Sequence, residues 1–474
     1  MQSKYDLVVV GSGVNGMVCA LLAAQRGLSV LLTEGQASLG GGVRTRSLTL
    51  EGFRHDVCSA VHPFGRCSPV LRGLNLEAEG LEWIDPPAPV AHPMLGEDAV
   101  MLYRDLARTA SEIGSMGGVV YRSLMTVLQN CWDILEEPLL GPALRPPAPK
   151  TLLPLAVFGP MAAAPASWLG PLMGRRGAAL WAGLAAHSLL PMESPGSSAV
   201  ACVLGLLAHK VGWPLPRGGA SAIAQALEKK LRTAGVEIKL DSWCTSVVDL
   251  PPARAVVFDL TAAQLSSLLG PRLVTGRRKS LNRYRLGPGI FKADYALREP
   301  VPWSDPRVAE AGTIHIGGDL QAIACSERAV WQGRVSQEPF LLAVQPTLFD
   351  PTRAPEGKHT FWVYLHTPNG WQGDATEILE HQMERFAPGF KEIVLRRSVM
   401  NVADFQEYNP NYVGGDILGG ANTLYQVVAR PFLSPDPYHL GGNMFCCSAS
   451  VPPGGGVHGM GGFHAFQSVL KHLG

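Results

Sequence analysis

The sequence predicts an α/β fold that opens on a Rossmann-like unit and has room for a second domain. Three observations carry that prediction. The first 35 residues read strand, glycine turn, helix, strand, acid. The last 30 read strand, glycine loop, helix. Between them lies enough chain, in a 474-residue sequence of 46% hydrophobic content, for a second domain with its own core.

The first unit is "YDLVVVGSGVNGMVCALLAAQRGLSVLLTEG", Tyr5 to Gly35. Leu7–Val10 is a continuous apolar and β-branched run, the mark of a buried strand. Gly11, Gly13 and Gly16 form a G-x-G-x-x-G turn. Gly11 permits the tight turn, Gly13 lets a pyrophosphate approach the backbone, and Gly16 lets helix and strand pack closely. Val14 and Asn15 open the helix, whose free N–H groups and positive partial charge suit phosphates. Gly27 stops the helix, Ser29–Thr33 is the second strand, and Glu34 at its end is placed to accept from ribose hydroxyls.

Beyond Glu34 comes "LGGGVRTRSL", with Gly40, Gly41, Gly42, Val43, Arg44 and Thr45. A Gly-Gly loop followed by arginine resembles the second fingerprint of flavoproteins of the amine oxidase and phytoene desaturase superfamily. The resemblance implies FAD as cofactor, with this loop beside its ribose and pyrophosphate. The spelling departs from the usual one, because Gly42 and Val43 stand between the glycine pair and Arg44.

FAD is long, and its ring lies far from its adenine, so a second set of backbone donors is expected. "SASVPPGGGVHGMGGFHAF" supplies one, with glycine at six of the nine positions from Gly454 to Gly462. It follows the strand-like "NMFCC" and opens a helix from about Gly461. Ser448, Gly456, Val457, His458 and Gly459 are the expected contacts. Bare glycine lets backbone N–H approach the ring edge. A helix N-terminus aimed at a reduced flavin anion stabilises it by about 1–2 kcal/mol. That raises a two-electron potential by roughly 20–45 mV.

Composition narrows the function classes. The formal charge is +1 and no basic patch stands out, which argues against a nucleic-acid partner. Gly 53 and Pro 38 are spread through an apolar sequence and read as turns and ligand loops. The nine cysteines include no CxxC or CxxxxC, so the dithiol pair of disulfide-reducing flavoproteins is missing. An odd set of unpaired thiols fits a cytoplasmic protein. The N-terminal apolar run is broken by Gly11, Gly13 and Gly16 and does not read as a secretory leader.

Along nearly its full length the chain resembles the bacterial phytoene dehydrogenase-like flavoproteins and, more distantly, carotenoid desaturases and amine oxidases. The stretches that carry the likeness are "GFRHDVCSAVHPFG", "AGLAAHSLLP", "VGWPLPRGGASAIAQAL", "GPGIFKADYAL", "NPNYVGGDI" and the C-terminal loop. The resemblance implies a discontinuous FAD domain from residues 1–75, 215–275 and 435–474. It implies that residues 76–214 and 276–434 form an α+β substrate domain interleaved with the Rossmann-like FAD-binding domain. It also implies an adenine contact after the strand near residue 240, carried here to Val247.

The substrate segments contain an uncharged stretch, Thr151 to Gly174. It is long enough to span a bilayer. Four prolines (Pro154, Pro160, Pro165 and Pro171) argue instead for a buried segment, an apolar substrate mouth or peripheral contact with a membrane surface.

Four residues are candidates for chemistry. In "GPGIFKADYAL", strand alternation places Lys292 and Asp294 on one face. The stretch looks like the amine oxidase segment whose lysine holds a water against flavin N5, which would be Lys292; an ion pair with Asp294 is the structural alternative. His62 in "AVHPFG" and His187 in "GLAAHSLL" are candidate bases, or else satisfied core groups. "FWVYLHTPNG" alternates Trp362, Tyr364 and His366 on one strand face and ends at Asn369, suiting a cavity wall. The expected reaction is removal of a hydride from an apolar or heterocyclic small molecule to flavin N5, giving C=C or C=N. O2 or another acceptor would reoxidise the flavin. The alternatives are an amine-type oxidase releasing H2O2 and a non-catalytic escort protein on the same fold.

Overall fold

A computed structural model describes residues 4–144 and 147–474. Two sheets organise it. The first has six strands in the order His439–Gly441, Met444–Cys446, Ala253–Phe258, Tyr5–Val10, Val30–Thr33 and Glu237–Lys239. All pairings are parallel except that of the edge strand His439–Gly441. Leu7, Val8, Val9, Leu32 and Val257 are fully buried, as central parallel strands covered on both faces require. The helix Val14–Gln25 packs against the C-terminal helix Met460–Leu473 and against Ser221–Thr233.

The second sheet has seven strands in the order Val394–Met400, Gly289–Leu297, His359–Thr367, Leu341–Val344, Ala311–Ile316, Ala88–Met94 and Glu97–Leu102. One face packs on Tyr295, Phe361 and Phe390. The other packs under the helices Ser115–Leu139, Gly174–Ala186 and Ser197–Lys210. The strands of the first sheet come from 1–75, 215–275 and 435–474, and those of the second from 76–214 and 276–434. The core of the first domain also takes in Leu281, with Tyr284 packed against it. The helix Thr275–Asn282 therefore packs with the six-stranded sheet.

Candidate functional site

A cavity of about 1130 Å³ lies between the two sheets. One end is the glycine turn. Gly11 has φ +96° and its N–H donates to Thr33 O at 2.8 Å, so the turn hangs on the second strand. A Cβ on Gly13 would stand 2.4 Å from Asp259 Oδ2, and one on Gly16 would stand 2.2 Å from Gly11 O. Gly11, Gly13, Val14 and Asn15 line the cavity, while Gly16 sits behind them as the packing glycine.

Glu34 is held tightly. One carboxylate oxygen accepts from Ser12 N–H and the Ser12 hydroxyl, and the other accepts from Gln36 N–H at 2.9 Å. Arg44 lies 3.5 Å from Glu34. Its guanidinium donates to the carbonyls of Ser38 at 2.6 Å, and of Leu39 and Gly41 at 3.3 Å. Arg44 thus shapes the loop from inside it. That loop lays Gly41, φ +55°, against the first turn, where an added Cβ would meet Gly13 Cα at 3.0 Å. Gly41, Gly42, Val43 and Arg44 all line the cavity.

Val247 does not line the cavity. It sits half-buried in the turn Val247–Asp249, and the wall is made by Ser242, Trp243, Cys244 and Thr245. The cause is local: the strand Glu237–Lys239 ends early and Asp241 turns the chain with φ +49°. The indole of Trp243 then lies over Gly35, where a Cβ would come within 2.5 Å of the ring.

At the other end, Ser448, Gly455, Gly456, Val457 and His458 line the cavity. The glycine run divides into two jobs. Gly456, φ +132°, belongs to the wall. Gly461 and Gly462 serve helix packing: Cβ atoms there would stand 2.4 Å from Cys447 O and 2.0 Å from Asn15 O. Gly459 does not line the cavity either; it starts the helix at φ +68° against Val18. The helix N-terminus is capped by the protein itself. His458 Nδ1 accepts from Met460 N–H at 3.1 Å, and Asn15 Oδ1 accepts from Gly462 N–H at 3.4 Å. His458 Nε2 therefore carries the proton and donates to Gly454 O at 3.2 Å. Burial lowers its pKa to about 4. The backbone of Gly456 and Val457, rather than the helix end, is what faces the cavity.

His62 and His187 both line the cavity. Burial lowers the pKa of His62 to about 4, with the Asp56 charge and the Ser59 backbone working weakly against it. Burial lowers His187 to about 3, and its Nε2 lies 2.9 Å from His315 Nε2. Lys292 and Asn369 differ from the expectation of a catalytic contact, because neither lines the cavity. Lys292 is fully buried, paired with Asp294 and 5.5 Å from the centre of the Trp362 ring. Asn369 Nδ2 donates to Gly287 O at 2.8 Å and Val413 O at 3.2 Å, so its amide ties strand ends together.

Asp259 went unnoticed in the sequence. It ends the strand Ala253–Phe258 and accepts from Gly16 N–H at 3.1 Å. Burial, with the Glu34 charge as a lesser cause, raises its pKa to about 7. The signal available was its position: an acid directly after the strand that pairs with the glycine-turn strand. His315 left no such signal, since its partnership with His187 spans 128 residues.

A family model described as "NAD(P)-binding Rossmann-like domain" matches residues 9–73. The chain is 25% identical to mouse pyridine nucleotide-disulfide oxidoreductase domain-containing protein 2, over all of this chain and 94% of that one. It is 22% identical to 4,4'-diapolycopen-4-al dehydrogenase of Metabacillus indicus, over 56% of this chain and 55% of that one. Cyclohexylamine oxidase of Brevibacterium oxydans has the same fold, with a TM-score of 0.60 at 12% identity over 99% of both chains.

Proposed function

We propose that this chain, an oxidoreductase of the phytoene desaturase and amine oxidase superfamily that binds a dinucleotide through a Rossmann-type turn, uses FAD to take a hydride from a C–H bond of an apolar or heterocyclic small molecule. The observation that carries this reading is one continuous cavity lined at one end by Gly11–Asn15 and at the other by Gly455–His458. Its volume of about 1130 Å³ exceeds the ~300–1,000 Å³ of ordinary ligand pockets, leaving room for a dinucleotide and a substrate together. The cradle fits the group: Gly11, Gly13, Gly40, Gly41 and Gly42 bring backbone without side chains to the cavity wall.

In this reading Gly11–Asn15 and the Gly40–Arg44 loop hold the phosphates, Glu34 the adenosine ribose, and Trp243 to Thr245 the adenine. Ser448 and Gly456–His458 hold the redox edge. Bound flavin supplies a two-electron acceptor. The chain's own part is to orient the substrate C–H and exclude water. His62 and His187 are the cavity-lining groups that can take up the accompanying proton, giving a C=C or C=N product. O2 or another acceptor then reoxidises the flavin.

Entry is through an apolar rim. The helix Leu152–Ala163 lines the cavity with Leu155 and Phe158 while Leu152 and Leu153 are exposed, and Leu424 and Tyr425 are exposed on the helix Leu424–Ala429. Among the described residues no single helix is long and apolar enough to cross a membrane. We read the rim as a peripheral membrane contact through which apolar substrates enter.

The test is anaerobic. Purified protein is expected to be yellow, to release FAD on denaturation, and to bleach with a substrate from a panel of amines, carotenoid precursors and cyclic compounds. A colourless protein that ignores added FAD overturns the redox reading in favour of an escort.

A further inference from the structure

The formal charge of +1 hides a local imbalance. No Asp or Glu occurs between Asp259 and Asp294, and that interval holds Arg272, Arg277, Arg278, Lys279, Arg283 and Arg285 within 14 residues. Acids elsewhere in the chain cancel this strip in the total. The helix Thr275–Asn282 carries its middle. Arg272, Arg278, Lys279, Arg283 and Arg285 are exposed, and none of the five is in an ion pair among the described residues. Arg277 differs. It is half-buried, lies over the Phe432 ring at 4.3 Å and donates to His439 O, with the Asp436 carboxylate in electrostatic reach.

Both ends of the strip are fixed beside the apolar rim of the cavity. At one end Arg285 N–H donates to Gln426 Oε1 at 3.0 Å, and Arg285 O accepts from Gln426 Nε2 at 2.8 Å. Gln426 is a buried side chain of the helix Leu424–Ala429, whose Leu424, Tyr425, Val427 and Val428 are exposed. At the other end Arg277 covers Phe432, and the next residue, Leu433, is exposed. No acid occurs from 417 to 435. Leu424 and Val427 also line the cavity, so this helix belongs to its mouth. Gly196 joins it to the other flank. Its N–H donates to Ala163 O, at the end of the helix Leu152–Ala163, at 2.8 Å, and a Cβ on it would stand 3.6 Å from Leu424 Cβ.

Exposed Leu, Val and Tyr side chains beside a strip of one charge select among surfaces. A nucleic acid matches the cations but offers phosphates and sugars, not hydrocarbon, to Leu424 and Val428. An apolar protein face matches the rim and leaves five cations without counter-charge. An anionic bilayer offers both: hydrocarbon at the depth of the apolar side chains, and negative headgroups where long Arg and Lys side chains reach.

We propose that the cavity mouth docks on an anionic phospholipid bilayer, with the exposed side chains of the helix Leu424–Ala429 at the hydrocarbon boundary and the strip Arg272–Arg285 on the headgroups. This rests on the reading of the rim as a membrane contact and names the surface it takes. The apolar contact alone is blind to lipid charge; the strip makes it selective.

Co-sedimentation of the purified protein with vesicles of phosphatidylcholine, alone or with about a third phosphatidylserine, tests this. Partitioning is expected to be at least about tenfold stronger onto the anionic vesicles at low ionic strength. The difference should vanish at about 0.5 M salt, where the Debye length is only a few ångströms. Arg278→Gln with Lys279→Gln and Arg283→Gln is expected to lose most of the anionic preference. Its binding to phosphatidylcholine and its melting temperature should stay unchanged, because these side chains are exposed and lie outside the cavity wall. Arg334→Gln with Lys391→Gln and Arg396→Gln, three exposed cations elsewhere, is the control and should keep the preference. Equal binding to the two kinds of vesicle, or equal losses in the two triple variants, overturns the proposal and leaves the rim reading standing. Binding to neither defeats both. Tighter binding to single-stranded RNA or duplex DNA than to the anionic vesicles at the same salt assigns the strip to nucleic acid and overturns the proposal.

Discussion

Asp259 and Gly13 share one small space: a Cβ on Gly13 would stand 2.4 Å from the Asp259 carboxylate oxygen that accepts the Gly16 N–H at 3.1 Å. An acid thus lies against the amides expected to receive the phosphates.

Burial lifts the Asp259 pKa to about 7. The unfolded chain has an ordinary aspartate near ~3.9. The folded state therefore holds the proton more strongly, and stability falls as pH rises from about 4 to about 7, levelling above that. The same ionisation places negative charge beside a bound diphosphate. Dinucleotide affinity is expected to fall between pH 6 and 8 in the parent protein and to stay level in Asp259→Asn, as read by fluorescence titration. The variant should also melt higher than the parent at pH 8. An unchanged pH profile in Asp259→Asn would show that the carboxyl does not control binding.

Gly13→Ala and Gly462→Ala separate ligand approach from packing. The first drives a Cβ to 2.4 Å from Asp259 Oδ2, displacing the carboxyl and the turn against the bound diphosphate, and is expected to lower dinucleotide affinity about 100-fold or more while far-UV circular dichroism is retained. The second drives a Cβ to 2.0 Å from Asn15 O. It is expected to destabilise the fold by ~1–3 kcal/mol in urea, with the loss of cofactor following the loss of stability. Equal effects of both on affinity at equal stability would contradict the division of the glycines.

Lys292 and Asp294 form a buried pair, with Asp294 held at a pKa of about 6 by burial working against the lysine's charge. Lys292→Met removes the carboxyl's ammonium partner, leaving the His55 ring 3.5 Å away, and is expected to cost ~3–5 kcal/mol in chemical denaturation. Lys292→Met with Asp294→Leu should recover most of that loss. Should the single variant be as stable as the parent yet inactive, Lys292 acts on the flavin or substrate rather than in the pair.

The apolar rim gives a prediction about membranes. Leu152→Ser with Leu153→Ser and Tyr425→Ser is expected to reduce co-sedimentation with phosphatidylcholine vesicles at least fivefold, while leaving the melting temperature within a few degrees, since these side chains are exposed. A parent protein that does not sediment with vesicles ends the membrane reading.

Much of the site was legible in the sequence where it depends on local spacing. Gly11, Gly13 and Glu34 announce themselves because a tight turn, a close approach and an acid at a strand end are all properties of neighbours along the chain. The Gly40–Arg44 loop was legible for the same reason, though Arg44 turned inward to the loop carbonyls. Val247 misplaced the wall by a few residues, because where a strand stops depends on the turn at Asp241 and not on the apolar pattern. Asn369 and Lys292 had the right chemistry for a site, but Asn369 is engaged by Gly287 O and Val413 O and Lys292 by Asp294, away from the cavity wall.

By itself the sequence determined the α/β class, the glycine turn with its acid, and the strand–loop–helix at the C-terminal end, since each follows from periodicity and backbone freedom over a few tens of residues. Only the tertiary structure decided that Asp259 guards the turn, that Gly461 and Gly462 serve a helix contact while Gly456 serves the cavity, and that His187 is held by His315. Those relations join residues far apart in the chain, and a hydrogen bond or a steric approach between them exists only once two sheets and their helices have packed.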